Sequence, residues 1–510
     1  MIDTLFASKQ VDILLFAEGT YPFVKGGVST WIFEMIKNLA EYRFGIIFLG
    51  AYEGLYDEPL YPLPENLVHL QIVYLFQSEN QDDIPHKNKI HKKTLHDIKR
   101  MHDIFKNSHE LPIGLSDSIG DIGEMIERGK GFDYFQFLHS EEAWQYISEQ
   151  YCNYSTDPAF IDYFWNIRNM HAPLWRMEEV IPQVPMAGIL HTISTGYAGM
   201  LAAMVHQRYG FPLILSEHGL YSKERNIELL QTTMFSKVDR LLANVKTFNY
   251  QHRLWLNFYN TLARICYHNA NPIISLFENA SIQQQAAGAD SNKTRVIPNG
   301  IDIPKFASVR RPPGTPVPKI VCYVGRVVRI KDIKTFIRSV AIMATKDKDI
   351  IAWIKTAGSD DPDYKQECLD YIALMGLENK IKIVMEGDML DVLAQIGVLV
   401  LSSISEGMPL VLLESMAAGI PVIATSVGAC REIIEGRDEE DKALGKCGSV
   451  VSIVNASMLA DEVVNLLNNP DLWLQMREVC IKRAEKYYNQ TDMLSSYRKI
   501  YNTAMGIWQE

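Results

Sequence analysis

Two series of short apolar runs, each alternating with helix-like stretches, constrain the fold of this chain more than any other feature. In the first series the runs are residues 11–17, 44–49, 186–190, 213–216, 272–276 and 294–297. In the second series they are residues 319–325, 350–356, 380–385, 398–401, 421–424 and 449–453. Apolar runs of this length that alternate with helices are typical of buried parallel strands. We therefore predict an α/β protein of two Rossmann-like, doubly wound domains.

A proline-dense segment, residues 310–318, separates the two series. Prolines make a chain stiff and extended, so this segment is typical of a linker. At 510 residues the chain also exceeds the size at which one core keeps growing. We predict a first domain at 1–310 with a helical insertion at about 77–180. A second domain at 311–480 and a C-terminal helical tail at 481–510, which packs back on the first domain, complete the prediction.

The net charge and the cysteine spacing argue against two classes of function, general nucleic-acid binding and C-x-x-C metal or redox chemistry. The formal net charge of -11 argues against general nucleic-acid binding, which needs a basic field. The seven cysteines contain no C-x-x-C pair of the kind that binds metal or cycles between redox states. No signal peptide begins the sequence, and no apolar run approaches the length that crosses a bilayer. We therefore expect a cytoplasmic location and small molecules or proteins as partners.

Two glutamates eight positions apart, Glu406 and Glu414, follow the apolar run at 398–401. We predict that a helix starts near Met408, with Pro409 at its first position, and that it ends at Gly419. Glu406 would then lie at the mouth of the helix and Glu414 more than a turn inside it. Free N–H groups at a helix start suit phosphate, and carboxylates accept hydrogen bonds from sugar hydroxyls. The alternative is that both carboxylates are ordinary solvated residues.

Glycines and cations occupy two further loops that follow strands. Gly26 and Gly27 open a helix after the first strand, where an anion can approach the backbone closely, although a plain tight turn explains them equally well. Arg326 and Lys331 follow the first strand of the second domain. Fixed cations there would stabilise a diphosphate leaving group, and the alternative is a structural salt bridge.

Two histidines end strand-like runs of the first domain, His191 and His218. A histidine in this position can bond a sugar hydroxyl or reach a reacting centre, whereas a lone histidine is more often structural. We expect a structural role for His191 and keep both alternatives for His218. The one D-x-D in a plausible loop, Asp361 to Asp363, is typical of a solvated turn rather than of a metal site.

Together these motifs resemble the retaining glycosyltransferases of family four, which have the GT-B fold. The spacing of Glu406 and Glu414 matches the E-x7-E signature of that family, and the other motifs extend the resemblance over nearly the whole chain. One departure is Asp332 after Lys331, where many relatives carry glycine. The stretches 18–31 and 216–221 are similar, more closely, to cytoplasmic glycosyltransferases of exopolysaccharide synthesis.

The resemblance implies a UDP-sugar donor held mainly by the second domain and a polysaccharide acceptor held by the first. It assigns Glu406 and His218 to the donor sugar at the reaction centre and Glu414 to the ribose. It assigns the remaining donor contacts to Gly26, Gly27, Arg326, Lys331, Glu386, Gly407, Met408, Pro409 and Leu410. Such enzymes need no metal or other cofactor and are thought to react by same-face attack without a covalent nucleophile. Inner-membrane components of a polysaccharide synthase complex are the implied protein partners.

Three alternatives remain open at this point. A sugar phosphorylase or a nucleotide-sugar epimerase would keep the fold and change the reaction. A scaffold protein of the same fold would bind a nucleotide without catalysing a reaction. The joint presence of Arg326, Lys331, Glu406 and Glu414 favours an active enzyme.

Overall fold

The structure is a computed structural model of the whole chain. It describes residues 2–56, 58–76, 92–106, 140–154, 159–231, 250–356, 360–385 and 387–506. The insertion predicted at about 77–180 is therefore described in part.

An eight-stranded sheet organises the first half of the chain. Its strands are β1 (Ile2–Phe6), β2 (Gln10–Glu18), β3 (Phe44–Gly50), β4 (Leu67–Tyr74), β5 (Met186–Thr192), β6 (Leu213–Glu217), β7 (Ile273–Ser275) and β8 (Thr294–Val296). They lie in the order β1-β4-β3-β2-β5-β6-β7-β8. All neighbours pair in parallel except β1, which runs antiparallel to β4 at the edge.

A six-stranded, wholly parallel sheet organises the second half. Its strands are β9 (Ile320–Gly325), β10 (Ile351–Thr356), β11 (Ile381–Val384), β12 (Val398–Leu401), β13 (Val422–Thr425) and β14 (Gly448–Val451). Their order is β11-β10-β9-β12-β13-β14. The two sheets confirm the prediction of two parallel-sheet, Rossmann-like units.

Helices connect the strands and cover the sheets. In the first half they are Gly27–Asn38, Lys92–Lys106, Glu141–Tyr154, Phe160–Val180, Tyr197–Tyr209, Tyr221–Gln231, Tyr250–Asn269, Glu278–Ala286 and Ile303–Ala307. In the second half they are Ile333–Lys346, Pro362–Leu374, Met389–Gln395, Leu410–Ala417, Cys430–Glu435, Glu439–Lys442, Ala456–Leu467, Pro470–Tyr487 and Gln490–Ala504. Among the described helices none is both long and apolar enough to span a bilayer.

Two strands of the first sheet, β1 and β4, are missing from the sequence-based prediction. Strand β4 carries His69 and Gln71, which interrupt its apolar run although both are buried in the fold. Strand β1 lies at the edge of the sheet and pairs only with β4. A short edge strand needs little apolar character, because its outer side faces no neighbour.

The chain crosses from the first sheet to the second near Ile301 and returns near Tyr488. The two crossing segments are hydrogen-bonded to each other. The backbone N–H of Ile301 donates to Tyr488 O at 2.9 Å, and that of Gln490 donates to Ile301 O at 3.0 Å. Beyond this point the helix Gln490–Ala504 places Tyr497 and Tyr501 in the apolar cluster under the first sheet. The exact domain boundaries stay a prediction.

The helix after β12 begins two residues later than predicted. It spans Leu410–Ala417, and Pro409 is its N-terminal cap in an extended conformation rather than its first helical residue. The carbonyl of Pro409 accepts the N–H of Leu412, so the ring sits where no helical donor is needed. At the other end Gly419 has φ +73°, the left-handed conformation expected of a helix-terminating glycine.

Candidate functional site

A cleft lies between the two sheets, at the carboxyl ends of strands from both. It encloses about 480 Å³ including its open mouth. The first half contributes His218 and Glu224, and the second contributes Glu406 and Gly407. Ligands of open parallel sheets bind at these strand ends, so the cleft is the natural position for a site.

Glu406 and Lys331 form an ion pair at the wall of the cleft. Lys331 Nζ lies 2.6 Å from Glu406 Oε1, and the two side chains are only 19% and 9% exposed. The hydroxyl of Ser403 donates to the same carboxylate oxygen at 2.5 Å. The two loops are also tied together by the backbone, since the N–H of Ile404 donates to Ile330 O at 2.8 Å. These residues meet because β9 and β12, which precede their loops, are neighbours in the sheet.

Asp332 explains how the loop after β9 turns into its helix. Its φ of +44° is the left-handed conformation that glycine adopts most easily, which accounts for the glycine that many relatives of the resembled family carry there. The aspartate compensates through its side chain, which accepts the N–H of Thr335 at 3.2 Å and its hydroxyl at 2.5 Å. The departure from the family pattern therefore caps the helix and leaves Lys331 paired with Glu406.

Gly407 brings the second half of the chain against the first. A Cβ at this position would lie 2.1 Å from the carbonyl oxygen of His218, so only glycine permits this approach. The loop after β13 supports Gly407 from behind, because the N–H of Ala429 donates to Gly407 O at 2.9 Å. The backbone of the E-x7-E loop thus lies directly on the loop that carries His218.

His218 is buried at the bottom of the cleft and is 8% exposed. Its ring packs edge-on against Trp31 at a centroid distance of 4.5 Å. Burial lowers the pKa of His218 to about 3, so the imidazole is neutral at physiological pH. Its Nε2 has no hydrogen-bond partner among the described residues, which leaves a buried polar atom for a ligand to satisfy.

His191 has the structural role expected for it. It is fully buried, with Nδ1 2.8 Å from the Tyr501 hydroxyl and Nε2 2.8 Å from Ser216 Oγ. The hydroxyl of Tyr497 lies 2.9 Å from the same serine oxygen. Both ring nitrogens are thus used to join the C-terminal helix to the first sheet.

The glycine pair after β2 faces the start of the E-x7-E helix. Gly27 is the first residue of the helix Gly27–Asn38, and a Cβ there would lie 3.8 Å from Leu410 Cδ1. The N–H of Gly26 donates to the hydroxyl of Tyr61 at 3.2 Å. Met408 packs inward instead, with its carbonyl accepting the side-chain amide of Asn299 at 3.3 Å. Its sulfur and its carbonyl therefore secure the passage between the two halves.

Three other predicted residues stand apart from this cluster. Arg326 is exposed, and Glu414 is partly buried on the inner side of its helix. No hydrogen bond or ion pair joins either side chain to another described residue, so the structure does not connect them to Glu406. Burial raises the pKa of Glu414 to about 7, with nearby Lys305 opposing the rise. Glu386 lies outside the described residues.

The D-x-D sequence forms a helix start. Asp361 caps the helix Pro362–Leu374, and its side chain accepts the N–H groups of Asp363 and Tyr364, both at 3.1 Å. Its carboxylate is therefore committed to the backbone. Within the described part of the chain no group of three or more His, Cys, Asp or Glu side chains is arranged to hold a metal ion.

Sequence reasoning did not single out Glu224, and it treated Glu217 only as a neighbour of His218. Glu217 is buried and accepts hydrogen bonds from Thr195, Tyr267 and Gln284 at 2.7 to 2.9 Å, so it is a structural carboxylate. Glu224 lies in the first turn of the helix Tyr221–Gln231 and lines the cleft. A signal was available, because Glu224 follows the His218 loop within one helical turn.

Two facing parallel-sheet units with a cleft between them define the class of the protein, the GT-B fold of glycosyltransferases. Residues 308–487 match the family described as Glycosyl transferases group 1, so the second half is a domain of that family. The chain as a whole belongs to the family described as Domain of unknown function (DUF3492), which matches residues 11–292 and thus more than half of it.

Solved structures support the same fold. The chain is similar to Anabaena HepE in complex with UDP-glucose, with 14% identity, a TM-score of 0.58, and coverage of 97% of this chain and 100% of that one. It is also similar to sucrose-phosphate synthase from Thermosynechococcus elongatus, with 15% identity, a TM-score of 0.57, and coverage of 98% and 100%. At these identities the likeness concerns the fold.

Curated relatives match a smaller part of the chain. One is D-inositol 3-phosphate glycosyltransferase of Corynebacterium urealyticum, 26% identical over 41% of this chain and 51% of the relative. Another is N-acetyl-alpha-D-glucosaminyl L-malate synthase of Bacillus anthracis, 24% identical over 36% of this chain and 45% of the relative. The chain therefore spans about half the length of these relatives.

Proposed function

We propose that the protein is a retaining glycosyltransferase that transfers a sugar from a UDP-sugar, of the glucose or N-acetylhexosamine type, to a growing exopolysaccharide in the cytoplasm. The observation that carries this proposal is that Glu406 and His218 line one cleft between the two domains and that Lys331 is paired with Glu406. The three residues come from loops that are far apart in sequence, and each loop follows a parallel strand. A carboxylate, a cation and a neutral imidazole together suit a sugar diphosphate.

The ion pair between Lys331 and Glu406 holds both groups ready for the donor. In the proposed complex Lys331 turns to the diphosphate, together with the exposed Arg326, and Glu406 accepts hydrogen bonds from the donor sugar. Charge-assisted hydrogen bonds of this kind are among the strongest available to a protein. The backbone N–H groups of Gly407 and Leu410 lie at the helix start, where the dipole favours phosphate.

Neutral His218 serves as a hydrogen-bond partner in this proposal. Its buried, unpaired Nε2 would bond a hydroxyl of the donor sugar at the bottom of the cleft. Because burial lowers the pKa of His218 to about 3, the ring does not act as a fixed cation near neutral pH. Glu414, one helical turn beyond the cleft, would hold the ribose hydroxyls.

The chemical step needs no covalent intermediate on the protein. The acceptor hydroxyl attacks the anomeric carbon from the side of the leaving group, the bond from that carbon to the phosphate oxygen breaks, and UDP leaves. The proton of the hydroxyl passes to the departing phosphate oxygen. Closure of the two domains would exclude water, which would otherwise hydrolyse the donor. No metal is required by this scheme.

The exopolysaccharide acceptor is proposed from the sequence resemblance. The stretches 18–31 and 216–221 resemble PelF, the cytoplasmic glycosyltransferase of Pel exopolysaccharide synthesis. By the same resemblance we propose inner-membrane components of a polysaccharide synthase as partners and a role in biofilm formation. Glu18 in the first stretch is bonded to Tyr221 in the second at 2.8 Å, so the two stretches form one structural unit.

A panel of nucleotides and nucleotide sugars tests the donor. Ligands that bind only the native state raise its melting temperature according to their affinity. We expect UDP and UDP-sugars to raise it by several degrees in the wild-type chain and less in Glu406→Ala. Glu439→Gln is the matched control, because that carboxylate is 93% exposed on the second domain. A shift with GDP or ADP but not with UDP would contradict the UDP assignment.

Product analysis separates the remaining alternatives. Release of UDP from a UDP-sugar without added phosphate supports a transferase, whereas a phosphorylase would require phosphate and an epimerase would release no UDP. A nucleotide-binding scaffold would show the thermal shift without turnover. A Glu406→Ala variant that transfers sugar as fast as the wild type would contradict the role given to Glu406.

A further inference from the structure

The cleft contains a second carboxylate, Glu224, which faces Glu406 from the first domain. Glu224 lies in the first turn of the helix Tyr221–Gln231 and lines the same cavity as His218. Its Oε1 packs directly on the backbone of Gly219, where a Cβ would collide with the carboxylate. The carboxylate of Glu224 therefore occupies space that a side chain at position 219 would fill.

Glu224 differs from the other carboxylates of this region in having no partner. Glu217 is held by three side-chain donors, and Glu18 accepts the hydroxyl of Tyr221. Glu224 accepts no side-chain hydrogen bond and forms no ion pair with any residue that the structure describes. Burial raises the pKa of Glu224 to about 7; Arg225 opposes the rise, and the nearby negative charges of Glu217, Glu228 and Glu406 add to it. A partly buried, unpaired carboxylate is costly unless a ligand satisfies it.

The rest of this side of the cavity combines apolar residues, Phe277 and Ala280 among them, with polar ones. Asn279 and Gln283 reach it from the helix Glu278–Ala286, and Lys223 stands at its exposed edge. Among its described lining residues the cavity has two amides and three carboxylates, those of Glu217, Glu224 and Glu406, against the ammonium group of Lys223. Hydrogen-bond acceptors are therefore in excess of positive charge. This composition suits hydroxyl groups of an uncharged ligand and repels an anion.

We propose that Glu224 is the residue on this side of the cleft that binds and orients a hydroxyl of a neutral sugar acceptor. The inference rests on the proposed function, since it presupposes a donor bound at Glu406 and His218. With the donor there, a hydroxyl bonded to Glu224 lies within the same cavity as the donor sugar. Once the donor satisfies the Nε2 of His218, the carboxylate of Glu224 still lacks a hydrogen-bond partner among the described residues.

The test compares donor hydrolysis with sugar transfer in the full-length chain. UDP release is measured without acceptor, then with neutral hexose and N-acetylhexosamine oligosaccharides, and then with a sugar phosphate. For the wild type we expect neutral oligosaccharides to accelerate UDP release and the sugar phosphate to have no effect. For Glu224→Ala we expect the acceptor KM to rise at least 10-fold, with the donor KM and the basal hydrolysis rate within about twofold of wild type.

Two further variants exclude a merely structural role. Glu224→Gln keeps an oxygen that accepts a hydrogen bond and should retain part of the acceptor affinity. In the wild type the acceptor KM should rise as the pH falls below 7, whereas in Glu224→Gln it should not depend on pH in this range. Glu228→Gln, one turn further along the same helix and paired with Arg225 outside the cavity, should keep the wild-type acceptor KM well above pH 7. Because it removes a charge that raises the pKa of Glu224, the rise in acceptor KM should begin at a lower pH than in the wild type.

Other outcomes overturn the inference in distinguishable ways. If Glu224→Ala lowers basal hydrolysis as much as transfer, Glu224 acts on the donor. If the sugar phosphate is used as well as neutral oligosaccharides, or if no neutral oligosaccharide accelerates UDP release, the acceptor is not the neutral sugar proposed. If the wild type hydrolyses UDP-sugars and Glu224→Ala has the wild-type acceptor KM, the role of Glu224 is refuted and the proposed function stands. A wild-type chain that releases no UDP refutes the proposed function and the role of Glu224 with it.

Discussion

Gly407→Ala perturbs the contact between the two domains without removing any functional side chain. The added Cβ would lie 2.1 Å from the carbonyl oxygen of His218, whereas real Cβ atoms essentially never lie within 3.0 Å of such an atom. The His218 carbonyl belongs to the backbone and cannot rotate away. The two loops must therefore separate by about 1 Å, and the simplest way is for the domains to open.

The expected loss follows from that displacement. His218 and Glu406 would face each other across a cleft about 1 Å wider, and misplacement by about 1 Å can cost roughly 100-fold in rate. That loss corresponds to about 2.7 kcal/mol in the activation free energy. Each domain keeps its own core, so we expect the melting temperature to stay close to that of the wild type.

Gly397→Ala is the matched control, because it places an equally severe collision inside one domain. Its Cβ would meet the carbonyl oxygen of Pro318, and both residues belong to the second half of the chain. Overpacking of this kind costs about 1–3 kcal/mol, equivalent to a fall in melting temperature of about 2–10 °C for a domain of this size. The assay measures UDP release and thermal unfolding for both variants.

The two variants should differ in which measured quantity falls, the rate of UDP release or the melting temperature. Gly407→Ala should lose activity and keep its melting temperature, whereas Gly397→Ala should lose melting temperature first. A Gly407→Ala variant that releases UDP at the wild-type rate would show that the observed approach of the two loops is not the active arrangement. A fall in melting temperature equal to that of Gly397→Ala would show that the collision is not relieved by domain movement.

Three further predictions follow from buried charges. Lys331→Met should weaken UDP binding about 10- to 100-fold by calorimetry, since it removes a charge-assisted contact, and unchanged affinity would exclude Lys331 from the diphosphate. Asp441→Asn should cost about 3–5 kcal/mol in urea unfolding, because Arg483 and Asp441 are both fully buried and pair at 2.6 Å, and a smaller loss would mean that Arg483 finds another partner. Burial raises the pKa of Glu414 to about 7, so the folded state keeps a proton that the unfolded chain releases, and stability should fall as the pH rises from about 4.5 to 7. In Glu414→Gln the stability measured by thermal unfolding should depend less on pH between about 4.5 and 7. An unchanged pH dependence would contradict the raised pKa of Glu414.

The positions of most strands could be predicted because buried parallel strands are apolar along their whole length. The run predicted at 398–401 is strand β12, and the run at 11–17 lies within β2. Strand β4 was missed because His69 and Gln71 interrupt its apolar run. The Nδ1 of buried His69 accepts the backbone N–H of Ser8 at 3.3 Å, and no local pattern contains a contact across 61 residues.

The candidate site could be predicted as a set of loops but not as a set of contacts. The order of apolar runs indicates that Lys331 and Glu406 both follow parallel strands, so both lie at the same edge of a sheet. That they touch depends on β9 and β12 being neighbours, which the strand order decides. The same holds for Pro409, since its ring fixes φ and only the fold decides whether its ψ is helical or, as here, extended.

The sequence by itself determined two α/β units and the residue types that can bind a sugar diphosphate. The tertiary structure alone decided which of these residues share a cavity. Glu224 and Glu228 lie one turn apart on the same helix, yet one lines the cleft and the other pairs with Arg225. Helical periodicity describes a helix relative to its own axis, whereas a cleft is created by the orientation of two domains.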